Sequence, residues 1–151
     1  MDIYEKTFVL TSATELKQYL TTLLDTLDGS TITIATGCGK EYDDTYIYLD
    51  RPLIIVFDNS NIFKIDYRKH SVFNATYTSI VDLDLDDTGI GNTTSLINPS
   101  YFEDASLVQF KVSSNNNDTF DGVQLKLSNN LVVDMSIQEV ENCCAIKFIQ
   151  E

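Results

Sequence analysis

LIIVFDNSNIFKIDY, residues 53–67, is a run in which apolar and aromatic side chains stand on both sides of a polar Asp58-Asn59-Ser60 break. β-Branched and aromatic residues suit a pleated strand, and Asn can supply the positive φ that a tight reversal needs. The stretch therefore reads as strand, turn, strand. VQLKLSNNLVVDMSI, residues 123–137, repeats that grammar around Asn129 and Asn130. The likeness is read as shared hairpin chemistry ahead of an internal duplication, and two such hairpins point to an antiparallel sheet.

Working outward, the same period of two recurs in EKTFVL (5–10), TITIATG (31–37), DTYIYLD (44–50), FNATYTSIVDLDLD (73–86), SLVQFKVS (106–113) and CCAIKFI (143–149). One segment departs from it. Leu16, Leu20, Leu23, Leu24 and Leu27 recur at helical spacing. Ser12 with Glu15 forms a capping-box pair before them, and Gly29 stands where a left-handed terminator belongs. A helix over 13–27 follows. The expected fold is α+β, with one N-terminal helix packed on a mostly antiparallel sheet or two-sheet sandwich. A chain of 151 residues with 43% apolar content suits a single domain over 1–151.

Composition narrows the function. The formal net charge is −13, from 23 acids against 10 bases. Nucleic acid and anionic membranes would be repelled, so direct binding to either is not expected, whereas a basic protein is a favoured partner. The opening MDIYEKTFVL lacks the apolar core and small cleavage residues of a signal peptide, and no apolar run approaches a membrane span. Three cysteines, Cys38, Cys143 and Cys144, are odd in number with two adjacent, a poor disulfide framework. The expected location is the cytoplasm.

The charge is uneven. Residues 1–40 hold 5 acids and 3 bases, residues 105–151 hold 6 and 3, and residues 41–104 hold 12 and 4, so the middle carries −8 of the excess. Its acids cluster as Glu41, Asp43 and Asp44; as Asp82, Asp84, Asp86 and Asp87; and as Glu103 with Asp104. In VDLDLDDTGIGN (81–92), Leu83 and Leu85 alternate with aspartates. As a strand this places two leucines on the core side and three carboxylates, about 6.7 Å apart, on the other. Such neighbours repel by less than about 1 kcal/mol in water, which a solvated face tolerates. The 87–105 loop that follows brings Tyr101 and Phe102 as apolar anchors beside Glu103 and Asp104.

Chemical motifs are weaker. Read as a calcium loop from Asp82, the sixth and twelfth places hold Asp87 and Thr93 instead of Gly and Glu. Successive aspartates on one open face lack the unlike environments that split an acid from a base. The lone histidine, His70, sits beside Arg68 and Lys69 and reads as a surface residue. GCGK (37–40) lacks the spacing of a phosphate loop and is followed by Glu41, which would repel a phosphate. Cys143 and Cys144 lack the spacing of a zinc site. No catalytic residue, metal or cofactor is assigned, and the protein is expected not to be an enzyme.

A small acidic α+β chain built from strand pairs such as LIIVFDNSNIFKIDY, with no catalytic signature, resembles the immunity proteins that bacteria keep against toxins of polymorphic and contact-dependent growth inhibition systems. The resemblance is one of style over the whole chain and implies inhibition of a basic toxin, a nuclease above all, by covering its nucleic-acid surface. The candidate partner-binding residues come from the charge pattern: Glu41, Asp43, Asp44, Asp82, Asp84, Asp86, Asp87, Tyr101, Phe102, Glu103 and Asp104. Three other readings stand beside this one. They are a nucleic-acid mimic of phage or plasmid origin, an interaction domain that is acidic only to stay soluble, and a small-molecule or ion-binding domain.

Overall fold

The computed structural model describes residues 2–37, 47–49, 53–68, 72–79, 104–138 and 143–150. They form one helix and ten strands in two antiparallel sheets. In chain order the elements are β1 (Lys6–Leu10), α1 (Ala13–Leu27), β2 (Ile32–Gly37), β3 (Ile47–Leu49), β4 (Leu53–Phe57), β5 (Asn61–Tyr67) and β6 (Phe73–Ser79). Then come β7 (Leu107–Ser114), β8 (Phe120–Leu127), β9 (Leu131–Gln138) and β10 (Cys143–Gln150). The expected α+β class holds, in its two-sheet form.

Sheet one has the order β1-β6-β5-β4-β2 and sheet two the order β3-β10-β9-β8-β7. Sheet two is a four-strand meander, β7 to β10, closed by β3, whereas sheet one is a three-strand meander, β4 to β6, flanked by β1 on one side and β2 on the other. β1 pairs with β6, Phe8 opposite Ala75, and β3 pairs with β10, Tyr48 opposite Ile146. Because β3 lies between β2 and β4 in sequence, the chain leaves sheet one, lays a strand on sheet two, and returns.

Both hairpins read from the sequence are present, one in each sheet. Their turns share one construction. Ser60 N–H donates to Phe57 O (3.1 Å) and Asn130 N–H to Leu127 O (3.0 Å). The side-chain oxygens of Asn59 and Asn129 accept from the amides of Asn61 and Leu131. The positive φ expected at Asn falls on Asn130 (70°) in one turn but on Ser60 (66°) in the other, where Asn59 organises the reversal through its side chain instead.

The helix spans the expected residues. Ser12 Oγ accepts from Glu15 N–H at 3.1 Å, and Glu15 turns its carboxylate to the hydroxyls of Thr11 and Ser12. At the other end the left-handed conformation begins at Asp28 (φ 46°) and continues through Gly29 (φ 80°). The polar segment SSNNNDT (113–119), whose length reads from the sequence as that of a functional or mobile loop, closes in a tight turn. Asp118, itself left-handed at φ 59°, accepts the Ala13 amide on its carbonyl (2.8 Å) and the Thr14 amide on its carboxylate (3.2 Å). Sheet two thus supplies the anion that the free amides of a helix start favour.

The inner faces of the two sheets and the buried stripe of α1 share one core. Leu16, Tyr19, Leu20, Leu23 and Leu27 are buried along the helix. Each such side chain contributes about 1.5 to 3 kcal/mol of transfer free energy. The sheets meet where Phe73 of β6 stacks on Phe120 of β8, centroids 4.9 Å apart. Elsewhere they are strapped by the main chain: Ile32 N–H donates to Ala105 O (2.7 Å), and Thr31 bridges antiparallel to Ser106. Cys144 is buried in this core, as a small apolar cysteine should be.

Tyr19 packs its ring between Phe8 and Phe63, yet its buried hydroxyl has no hydrogen-bond partner among the described residues. Burial, helped by Tyr77, pushes its pKa well up. The folded state therefore holds this proton at a pH where the unfolded chain, titrating near 10, releases it, so stability falls as pH rises past about 10.

Two outcomes are expected. Asp118→Ala should cost about 1 to 2 kcal/mol by urea unfolding, while Asp118→Asn, which keeps an acceptor oxygen, should lose much less. Tyr19→Phe should match or exceed the wild type by about 1 kcal/mol at neutral pH and should flatten the alkaline loss of stability above about pH 10.

Candidate functional site

The outer face of sheet one, turned away from the core, is divided in two. Toward β4, Ile54, Val56 and Ile62 form a small separate buried cluster. Toward β1, alternation along FNATYTS and NIFKIDY sets Asn74, Thr76 and Thr78 of β6 beside Lys64 and Asp66 of β5. These side chains, with Glu5, Thr7 and Arg68, line a polar hollow of about 610 Å³.

Strand register orders the hollow. Thr7 of β1 lies opposite Thr76 of β6, and Thr76 opposite Lys64 of β5, so one row crosses three strands. The Thr7 and Thr76 hydroxyls are 3.0 Å apart and bonded. In the next row Asp66 lies opposite Asn74. Asp66 is paired with Arg68, Nη1 to Oδ2 3.5 Å, with the Asp66 side chain only 19% exposed. Lys64 is half-buried and makes no ion pair among the described residues.

Glu5 enters the hollow through a distortion of the strand. Tyr77 lies opposite Lys6, accepts the Glu5 amide on its carbonyl at 2.9 Å, and also bridges to Tyr4. Glu5 is left-handed at φ 65°. For a residue with a Cβ this conformation costs about 1 to 2 kcal/mol. An extra residue at a strand edge re-aims a side chain, here a carboxylate toward the hollow.

The outer face of sheet two differs. A row across it carries Lys111, Gln124, Asp134 and Lys147, with Gln124 Nε2 donating to Asp134 Oδ1 at 3.1 Å. Lys126 stands on the same face, so three lysines accompany Asp134 there.

Of the residues nominated from the charge pattern, Glu41, Asp43, Asp44, Asp82, Asp84, Asp86, Asp87, Tyr101, Phe102 and Glu103 lie outside the described residues. So do Cys38, His70 and the GCGK lysine. Asp104 is described: it is exposed, left-handed at φ 57°, and turns the chain into buried Ala105. The described ends of the acidic stretch are placed together. Ser79 lies opposite Asn61, while Ala105 binds Ile32, which lies opposite Phe57. Ser79 and Ala105 therefore lie beside the same end of sheet one, separated by about four strand spacings or ~19 Å.

Residue type alone does not reveal the hollow. Its signal was present in the Asn-Thr-Thr alternation of FNATYTS, but such residues also suit any solvated strand face. Only the strained Glu5 and a Lys64 without an ion-pair partner among the described residues set it apart, and neither is readable from residue type.

Among the described residues no three His, Cys, Asp or Glu side chains group as a metal site, and no described helix is long and apolar enough to cross a membrane. No family model, curated protein or solved structure matches the chain.

The strain at Glu5 is testable without a ligand. Glu5→Gly should stabilise the fold by about 0.5 to 1 kcal/mol, the relief at positive φ less the entropy of glycine, read from thermal and urea unfolding.

Proposed function

We propose that the protein is a non-catalytic acidic binding protein that neutralises a basic protein, as an immunity protein blocking a bacterial toxin of the nuclease class, in the cytoplasm. The observation that carries the reading is the separation of charge. Residues 41–104 hold 12 acids against 4 bases, whereas the outer face of sheet two sets Lys111, Lys126 and Lys147 against Asp134. Charge kept only for solubility has no need of such separation, while an acidic region on one part of a molecule steers a basic partner into one orientation.

In this reading Glu41, Asp43, Asp44, Asp82, Asp84, Asp86 and Asp87 attract the partner, and Tyr101 and Phe102 anchor it beside Glu103 and Asp104. Ser79 and Ala105 lie beside the same end of sheet one, and the sequence between them carries both the Asp-rich run and the aromatic pair, which supports it. A toxin covered in this way loses access to its nucleic acid. The protein needs no chemistry of its own.

The test begins with capture of partners from the native cell at low salt and identification of what is bound. A basic toxin supports the reading; recovery of acidic proteins alone or of none overturns it. With the partner in hand, association of the wild type should slow steeply as ionic strength rises. Asp82→Asn, Asp84→Asn and Asp86→Asn together should weaken binding and flatten that salt dependence while leaving the fold as stable or slightly more so. Unchanged affinity at low salt would count against these aspartates.

A further inference from the structure

The hollow on the outer face of sheet one has no part in that reading, and its chemistry points elsewhere. At about 610 Å³ it is the size of a small-molecule site. Its lining is hydroxyl, amide and charge, with no aromatic platform among the described residues. An apolar occupant would strip water from these groups and return no hydrogen bonds, so the ligand must be hydrophilic.

The charge inside is not balanced by proximity. Arg68 holds Asp66, which leaves that carboxylate spoken for. Lys64, at the centre of the sheet, is the cation without an ion-pair partner among the described residues, and the bonded Thr7–Thr76 hydroxyl pair extends its row. At the rim, Glu5 is exposed and held in a strained conformation that turns an acceptor toward the same space. One cation flanked by hydroxyls, with a carboxylate at the edge, suits a molecule that carries both a negative group and several hydroxyl donors.

We propose that the hollow binds a small hydroxyl-rich organic anion. Its carboxylate or phosphate sits on Lys64, its hydroxyls bond Thr7 and Thr76, and a further hydroxyl donates to Glu5. The proposal is independent of the acidic interface, since it uses none of those residues.

The test is titration of the full chain, followed by backbone amide NMR shifts, with three probes: gluconate, glucose 6-phosphate and glucose. Saturable shifts centred on Thr7, Lys64 and Thr76 are expected with one or both anions, the pair distinguishing carboxylate from phosphate, and glucose should bind at least about tenfold more weakly. Lys64→Gln should weaken the anion by about tenfold, while Lys64→Arg, which keeps the cation, should retain most of the affinity. Glu5→Gln should weaken all hydroxyl-bearing probes alike. Absence of saturable shifts with both anions, shifts centred on another face, or full affinity in Lys64→Gln overturns the proposal.

Discussion

Each of the two sheets has an apolar inner face, and neither inner face can be shielded from water by its own strands. That constraint organises the molecule. α1 presents Leu16, Tyr19, Leu20 and Leu23 to the same core that receives Phe63 and Phe73 from sheet one and Phe120, Val123 and Val133 from sheet two. Removing any one of the three surfaces would expose the other two. The ties at the margins follow from this arrangement: Asp118 meets the helix start because sheet two already lies against α1, and Ala105 binds Ile32 because the sheets are already face to face.

With the inner faces committed to the core, function is left to outer faces and connections. The outer faces differ in kind. Sheet two shows a solvated row of lysines, Gln124 and Asp134, whose cross-strand hydrogen bond is what an exposed antiparallel ladder ordinarily makes. Sheet one shows a hollow where a left-handed glutamate and a lysine without an ion pair among the described residues depart from that ordinary pattern. The largest acidic excess lies in residues 41–104, where most of the acids fall outside the described residues. A molecule with this division can present one charge to a partner while keeping a separate polar recess.

Much of the local structure was legible because its determinants are local. Ser12, Glu15 and the leucine period specify α1, and Asn-centred breaks between β-branched runs specify the β4–β5 and β8–β9 hairpins. Where a feature depends on a distant partner, residue type falls silent. SSNNNDT reads as a mobile tip until α1 is seen to rest on Asp118. FNATYTS reads as a plain strand until β1 and β5 flank it. The acidic clusters were legible as charge, since charge is a property of composition, but what they touch is a matter of placement.

By itself the sequence determined the class of the molecule: one helix, many antiparallel strands, two Asn-organised hairpins and an uneven negative charge. These depend on interactions between residues a few positions apart, whose energies act before the chain is compact. Tertiary structure alone decided that the strands divide into two sheets, that β1 closes on β6 and β3 on β10, and that Glu5, Thr7 and Lys64 share one hollow. Those outcomes rest on burying apolar faces from distant segments against one another. That burial is non-directional, and many pairings satisfy it equally until the whole core is assembled.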